Sequence, residues 1–191
     1  MNTPNKLTLA RFILSAAFFV VVMRDFPYHY LISLIIFIVA SLTDMLDGKI
    51  ARSRGLITDF GKFLDPIADK MLTTAAFIAF TFEHIGAGIA IITFIVLARE
   101  FAVTSVRLVA ADNGKVIAAN IWGKLKTVMQ MVAIIATLFA LSLEEIFTLT
   151  ESAYLIMGII YSALLWISGI MTLIAGITYL IDNKDFINTK K

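Results

Sequence analysis

Six apolar stretches, each close to the length that crosses a lipid bilayer, dominate this chain of 191 residues. A membrane-spanning helix needs about 20 mostly apolar residues, and the stretches cover approximately residues 7–24, 30–51, 62–82, 87–110, 120–143 and 152–181. Hydrophobic residues make up 60% of the sequence, more than the near-half share that is usual in a soluble domain. The sequence therefore predicts an all-α membrane protein, a single domain over residues 1–191 with six transmembrane helices.

The basic residues predict which side of the membrane each loop faces, because cytoplasmic loops carry an excess of Lys and Arg. If the N-terminus is cytoplasmic, all of the 16 Lys and Arg residues except Arg24 lie on the inner side. We therefore expect a multi-pass protein of the cell membrane with both termini in the cytoplasm. This topology brings an acidic group and a basic group of residues to one polar cavity, which opens to the cytoplasmic side.

The acidic group consists of four aspartates within 26 residues, Asp44, Asp47, Asp65 and Asp69. A carboxylate at the bilayer centre costs roughly 2.5 kcal/mol or more, so four of them need a compensating cation. The pairs are three and four residues apart, which places the members of each pair on one face of a helix. With no cysteine and only two histidines in the chain, oxygen ligands favour Mg²⁺, Mn²⁺ or Ca²⁺. One or two such ions beside the guanidinium of Arg52 indicate phosphate chemistry.

Two other interpretations of the aspartates compete with a metal site. Aspartates near helix ends commonly cap the helix or pair with nearby cations, and Asp59 fits the cap role. A cation transporter also carries carboxylates in its membrane segments, but it often binds its ions near the midplane between repeated halves. No internal repeat is visible in this sequence, and Gly48 lies directly after Asp47, where its missing side chain lets a bulky ligand approach the helix.

The aspartates and their neighbours form a recognisable motif over residues 44–69. The segment reads DMLDGKIARSRGLITDFGKFLDPIAD, which fills all eight positions of the pattern D-x2-D-G-x2-A-R-x8-G-x3-D-x3-D. This pattern resembles the signature of the CDP-alcohol phosphatidyltransferase family. The segments PNKLTLAR, AREFAVTSVR and GKLKT also resemble members that use sn-glycerol 3-phosphate as the acceptor, and the resemblance extends over the whole chain.

The resemblance implies a reaction and roles for the aspartates. Family members move a phosphatidyl group from a CDP-linked lipid to an alcohol and release CMP. By motif position, Asp44, Asp47 and Asp65 would bind two metal ions, Mg²⁺ or alternatively Mn²⁺. Asp69 would act as the general base on the attacking hydroxyl and would also touch a metal. The displacement would be direct, with no covalent intermediate on the protein.

The resemblance also implies a site for the nucleotide of the donor. Gly48 and Arg52 would contact the cytidine diphosphate, with Thr58 as a further candidate. Asn5 and Thr8, near the start of the chain, are additional candidates for this site. For these two residues a helix cap is the simpler interpretation.

Four basic residues are candidates for binding the phosphate of the acceptor: Arg99, Arg107, Lys124 and Lys126. Arg99 and Arg107 are eight residues apart, which is roughly two helical turns, so a shared face is expected. The alternative is that these residues are ordinary cytoplasmic charges that contact lipid headgroups. Arg99 fits that alternative poorly, because it lies inside an apolar stretch next to Glu100, which can pair with a neighbouring cation.

The partners implied by the resemblance are CDP-diacylglycerol as the donor, sn-glycerol 3-phosphate as the acceptor, membrane lipids and a second copy of the chain. We expect no nucleic-acid partner. Inositol phosphate, serine and phosphatidylglycerol remain open as alternative acceptors for the same chemistry. The acyl chains of the donor would stay in the bilayer, which explains a catalyst that is itself embedded in the membrane.

Overall fold

A computed structural model of the protein describes residues 3–54, 59–115, 117 and 120–184, with side chains for residues 8–43, 67–68, 70–115, 117 and 120–184. Within these residues the chain forms α1 (Thr3–Val22), α2 (His29–Arg54), α3 (Asp59–Phe82), α4 (Ile89–Asp112), α5 (Ile121–Ile146) and α6 (Glu151–Asp182). Each helix begins and ends within a few residues of the stretch predicted for it. The prediction of an all-α protein is therefore confirmed.

Three of the helices are long and apolar enough to cross a membrane. Over the described residues these are α4, α5 and α6, each with a continuous window of high hydropathy. The apolar parts of α1, α2 and α3 are shorter and cover Thr8–Val22, His29–Thr43 and Lys70–Phe82. These lengths and compositions indicate a membrane protein.

The helices pack as a bundle around one main apolar core. Helix α1 lies against α2 and α3, α2 contacts α5, α3 contacts α4, and α6 packs on both α4 and α5. The centre of the core contains aromatic and aliphatic side chains with almost no exposure, among them Phe37, Phe77, Phe80, Ile134 and Leu138. Many other large apolar side chains of α4, α5 and α6 face outward, as expected where lipid replaces water around a protein.

One end of the bundle, which we call the turn end, contains the α1–α2 turn, the α3–α4 turn and the C-terminus of α5. Glu145 accepts hydrogen bonds from the backbone N–H groups of His29 at 2.9 Å and Tyr30 at 3.2 Å, so its carboxylate satisfies the first turn of α2. Trp166 of α6 donates its ring N–H to the carbonyl of Ala87 at 2.8 Å. These contacts hold the α1–α2 turn against α5 and the α3–α4 turn against α6.

A glycine makes the second of these contacts possible. Gly88 adopts a positive φ of 71°, and a Cβ at this position would lie 2.8 Å from the ring of Trp166. Any other residue would be strained in this backbone conformation and would clash with the indole. Glycine at this position therefore allows the α3–α4 turn to lie directly against α6.

Candidate active site

The motif aspartates lie on two helices that contact each other. Asp44 and Asp47 belong to α2, and Asp65 and Asp69 belong to α3. Their spacings of three and four residues keep each pair on one side of its helix. The side chains of all four aspartates lie outside the described part of the structure. Among the side chains that are described, no three His, Cys, Asp or Glu residues gather as a metal site.

The candidate nucleotide residues fall mostly in the same region of the chain. Gly48 and Arg52 lie on α2, and Asn5 lies on α1, but the side chains of Arg52 and Asn5 are not described. Thr58 lies outside the described residues. Thr8 is buried inside α1, five residues after the helix begins, so the interpretation of Thr8 as a helix cap is wrong. Its helix packs on both aspartate-bearing helices.

The candidate acceptor residues surround a described group of charges, which we call the Glu100 cluster: Glu100, Lys70, Arg99 and Lys126. The ammonium of Lys126 donates to Oε1 of Glu100. The guanidinium of Arg99 lies 3.0 Å from the same oxygen, and the ammonium of Lys70 lies 3.6 Å from Oε2. The pairing of Glu100 with a neighbouring cation is thus confirmed, and it involves three cations rather than one.

The Glu100 cluster joins three helices, and all of its side chains except that of Lys70 are largely removed from the surface. Lys70 comes from α3, Arg99 and Glu100 from α4, and Lys126 from α5. The side chains of Lys126 and Glu100 are 8% and 13% exposed. Lys70 also donates to the hydroxyl of Thr104. Because a buried ion that loses its partner is strongly destabilising, these pairs hold the three helices in one arrangement.

Helix α6 sets the position of both arginines. Gly176 lies beside the stem of Arg99, and a Cβ at Gly176 would be 2.8 Å from Cγ of Arg99. The hydroxyl of buried Tyr179 accepts a hydrogen bond from Nε of Arg107 at 3.3 Å. The guanidinium carbon of Arg107 lies 5.7 Å from the centre of the same ring, within the range of a cation–π contact.

The start of α5 brings further donors to this region. Asn120 caps the helix by accepting from the backbone N–H of Gly123 at 2.9 Å. A Cβ at Gly123 would lie 3.3 Å from Oδ1 of Asn120 and 3.7 Å from Nη2 of Arg99, so these three residues are neighbours. Within the described residues, Nδ2 of Asn120 and Nε of Arg99 are buried and have no hydrogen-bond partner.

A cavity of about 430 Å³ lies beside the Glu100 cluster, a volume in the range of small-molecule sites. All four candidate acceptor residues line this cavity, together with Lys70 and Glu100. Five cations and one carboxylate give the lining a formal surplus of four positive charges. The cavity therefore suits an anion, and a phosphate oxygen is the kind of acceptor that Lys and Arg donors bind best.

Several residues of this site were not predicted as site residues. Glu100 had a sequence signal, because a glutamate inside an apolar helix needs a nearby cation. The sequence signal for Lys70 was weaker, since a lysine near a helix end often only extends its ammonium to the membrane surface. For Gly176 and Tyr179 no sequence signal identifies the partner, because each contacts a residue of α4 more than 70 positions away.

The comparisons with known proteins agree with the motif. The family model described as CDP-alcohol phosphatidyltransferase matches residues 1–179. A protein of Bacillus subtilis (strain 168) named CDP-diacylglycerol–glycerol-3-phosphate 3-phosphatidyltransferase is 38% identical, with 98% of both chains covered. A protein of the same name from Rickettsia bellii is 33% identical over 93% of both chains. Another from Salmonella typhimurium is 38% identical over 70% of this chain and 74% of its own.

Proposed function

Because the chain belongs to the CDP-alcohol phosphatidyltransferase family, we propose that it transfers the phosphatidyl group of CDP-diacylglycerol to sn-glycerol 3-phosphate. The products are phosphatidylglycerophosphate and CMP. The observation that carries the choice of an acceptor with a phosphate group is the cavity with five cations and one carboxylate. Relatives whose names specify glycerol 3-phosphate match nearly the whole chain, which supports the same choice.

The charge of the cavity separates some acceptors from others. A phosphate monoester carries about −1.5 to −2 charges at pH 7, which the surplus of cations can balance. Serine has no phosphate and would leave most of the cations without a partner, whereas inositol phosphate would satisfy them equally well. The names of the relatives favour glycerol phosphate over inositol phosphate.

We propose that all six helices cross the cytoplasmic membrane, as one domain with both termini in the cytoplasm. The apolar parts of α1, α2 and α3 approach the length of complete spans when the remaining residues of each helix, which in α2 and α3 carry the aspartates, are counted with them. The cavity then opens to the cytoplasmic side, where the water-soluble glycerol 3-phosphate is available. The donor enters from the bilayer with its acyl chains still in lipid.

The donor atoms of the motif fit a pair of divalent ions. Four carboxylates on two contacting helices provide only oxygen ligands, the set that Mg²⁺ and Mn²⁺ prefer. We assign Asp44, Asp47 and Asp65 as ligands, with Asp69 touching the same site. Bound ions would neutralise the diphosphate and stabilise CMP as the leaving group.

The protein's own residues perform the remaining steps. We propose that Asp69 accepts the proton of the attacking glycerol hydroxyl. The hydroxyl oxygen forms a bond to the phosphorus of the phosphatidyl group while the bond from that phosphorus to the oxygen of CMP breaks. The proton ends on Asp69 and the electron pair leaves with CMP. One displacement accounts for the products, so no covalent intermediate on the protein is needed.

The remaining candidates bind and orient the two substrates. Gly48 and Arg52 on α2 contact the cytidine diphosphate in this proposal, with Thr58, Asn5 and Thr8 as further contacts. The acceptor phosphate lies against the basic residues of the cavity, Arg99, Arg107, Lys124 and Lys126. Holding an alcohol next to a phosphorus atom in this way removes much of the entropic cost of a two-substrate reaction.

The test of this function is the release of CMP by the purified protein. We expect release when the protein in mixed micelles receives CDP-diacylglycerol, glycerol 3-phosphate and Mg²⁺, and no release when the acceptor is omitted. Competition with inositol phosphate, serine and phosphatidylglycerol identifies the acceptor. Folded protein that releases no CMP with any of these alcohols would contradict the proposal. The homodimer implied by the family resemblance stays a prediction, which light scattering in detergent tests.

A further inference from the structure

We propose that Glu100 is a positioning residue for the acceptor phosphate, which it serves by holding Lys126, Arg99 and Lys70 at the wall of the cavity. Glu100 itself carries a negative charge and would repel a phosphate, so its role is to act through the cations. This inference rests on the proposed function, because it concerns the acceptor site of that reaction. It adds a residue that neither the motif nor the names of the relatives point to.

The geometry of the carboxylate supports this role. Its Oε1 accepts from Lys126 and from Arg99, and its Oε2 faces the ammonium of Lys70 at 3.6 Å. The three cations come from α3, α4 and α5, so one side chain fixes the relative positions of charges on three helices. The backbone carbonyl of Glu100 also accepts from the hydroxyl of Thr104 at 2.7 Å, and this hydroxyl in turn receives Lys70.

Burial makes the carboxylate necessary for the cations. Lys126 is only 8% exposed, and an ammonium at such a position is strongly unfavourable without an opposite charge. Among the described residues, Glu100 is the acidic group that pairs with Lys126. Without this carboxylate, the ammonium would turn toward solvent or give up its proton. In either case it would no longer offer a charge to a phosphate in the cavity.

The cluster keeps enough hydrogen-bonding capacity and charge for a ligand. A lysine ammonium has three N–H donors and an arginine has five, and Glu100 takes one from Lys126 and one from Arg99. Nε of Arg99 has no partner among the described residues. Three cations and one carboxylate leave a net charge of +2, which balances the charge of about −2 on a phosphate monoester at neutral pH.

The variant that tests this role is Glu100→Gln, which removes the charge and keeps the size. We expect it to raise the KM for glycerol 3-phosphate by about tenfold or more, and to change the KM for CDP-diacylglycerol by less than about twofold. A simple loss of repulsion would instead lower the acceptor KM, and that result would overturn the proposal. Equal increases for both substrates, or no change in either, would also overturn it.

A double-mutant cycle shows whether Glu100 acts through Lys126. The variants are Glu100→Gln, Lys126→Ala and the combination of the two. Because Glu100 also holds Arg99 and Lys70, the positioning role predicts partial overlap, in which the combination raises the acceptor KM by clearly less than the product of the two single increases. Independent, multiplying effects would contradict the positioning role.

Two further measurements keep the test decisive. Glu145→Gln is the matched control, because Glu145 is also a largely buried glutamate, with 17% exposure, and lies at the turn end. It is expected to leave both KM values unchanged. If Glu100→Gln does not fold, Glu100→Asp replaces it in the test. Aspartate keeps the negative charge, but its side chain is one methylene shorter, so the carboxylate lies farther from the cations. We expect an intermediate rise in acceptor KM for this variant. An unchanged acceptor KM in a folded Glu100→Asp protein then counts against the proposal.

Failure of the proposed function would be visible separately. It would appear as wild-type protein that releases no CMP with glycerol 3-phosphate. In that case calorimetric titration of wild type and Glu100→Gln with glycerol 3-phosphate tests the cluster directly as an anion site. Weaker binding to the variant supports the positioning role, and equal or tighter binding refutes it.

Discussion

Two half-buried glutamates, Glu100 of α4 and Glu145 of α5, lie near opposite ends of α5 and show how the same side chain serves two purposes in this bundle. Lys126, the partner of Glu100, and Glu145 are 19 residues apart on that helix, which corresponds to about 29 Å. The two oxygens of Glu145 accept hydrogen bonds from backbone N–H groups at the start of α2. The two oxygens of Glu100 form ion pairs with three side-chain cations.

The difference lies in what remains unpaired at each end. At the turn end, the carboxylate of Glu145 pairs with the backbone N–H groups of His29 and Tyr30, which belong to the fold itself. At the Glu100 cluster the cations outnumber the carboxylate, and more cations line the same cavity. An excess of buried or half-buried positive charge is costly in a membrane protein. Such an excess is expected where a substrate supplies the missing negative charge.

The largest effect is expected from Asp69→Asn, at the residue that precedes Lys70 in α3. The amide cannot accept the proton of the attacking hydroxyl, so turnover should fall by about 10² to 10⁴ or below detection. Binding of CDP-diacylglycerol should persist, because the other three aspartates remain. Rates of CMP release and calorimetric titration with the donor measure the two quantities. Near-normal turnover would show that Asp69 is not the base.

Gly176→Ala should have the next largest effect, by moving Arg99 without touching a charge. The new Cβ would lie 2.8 Å from Cγ of Arg99, so the stem of the arginine must shift. Since a displacement of about 1 Å in a positioning group can cost up to about 10²-fold, we expect the acceptor KM to rise by about tenfold. Gly158→Ala on the same helix is the control, because its nearest neighbour is at an ordinary 3.7 Å. Similar KM values for the two variants would contradict the prediction.

Tyr179→Phe should have a smaller effect on the same site. It removes the hydroxyl that accepts from Arg107 at 3.3 Å but keeps the ring beneath the guanidinium. The bond is long, so we expect a loss of about 0.6 kcal/mol, at the low end for a hydrogen bond, which is about a threefold rise in acceptor KM. Steady-state kinetics with varied acceptor measures it. A change in donor KM alone would show that Arg107 serves the other substrate.

Glu145→Gln is expected to leave activity unchanged and to act on stability alone, which sharpens the contrast between the two ends. The amide keeps one acceptor oxygen for two backbone donors, so part of the cap on α2 is lost. Loss of a helix cap costs about 1 kcal/mol, and we expect the thermal midpoint in detergent to fall by a few degrees. A changed acceptor KM would mean that the turn end is coupled to the cavity.

The sequence was sufficient for the parts of this molecule that depend on local pattern. Hydropathy located six helices, because apolar stretches of bilayer length have few other ways to satisfy their backbone groups. The eight-position motif identified the family, and the basic residues Arg99, Arg107, Lys124 and Lys126 do line one cavity. The assignment of roles to the aspartates still rests on the motif, since their side chains lie outside the described part.

The sequence was not sufficient for contacts between distant helices. The sequence showed that Glu100 is a charge that needs a partner. Its neighbours in the sequence did not indicate which cations it would contact, or that three of them would pair with it. Trp166 of α6 donates its ring N–H to the carbonyl of Ala87, 79 positions away in the sequence. Such pairs depend on how helices cross, which is decided by packing of whole surfaces rather than by the residues on either side in the chain.

The support that α6 gives to the arginines has a consequence for genetic screens. The lining residues that surround the cavity come from α3, α4 and α5, yet both arginines rest against the last turns of α6. Consider a library of random variants from which cells are selected that grow only at high concentrations of glycerol 3-phosphate. We expect this selection to return substitutions near the C-terminus. Those hits would be uncharged positions, remote from the signature, and easily mistaken for general folding defects.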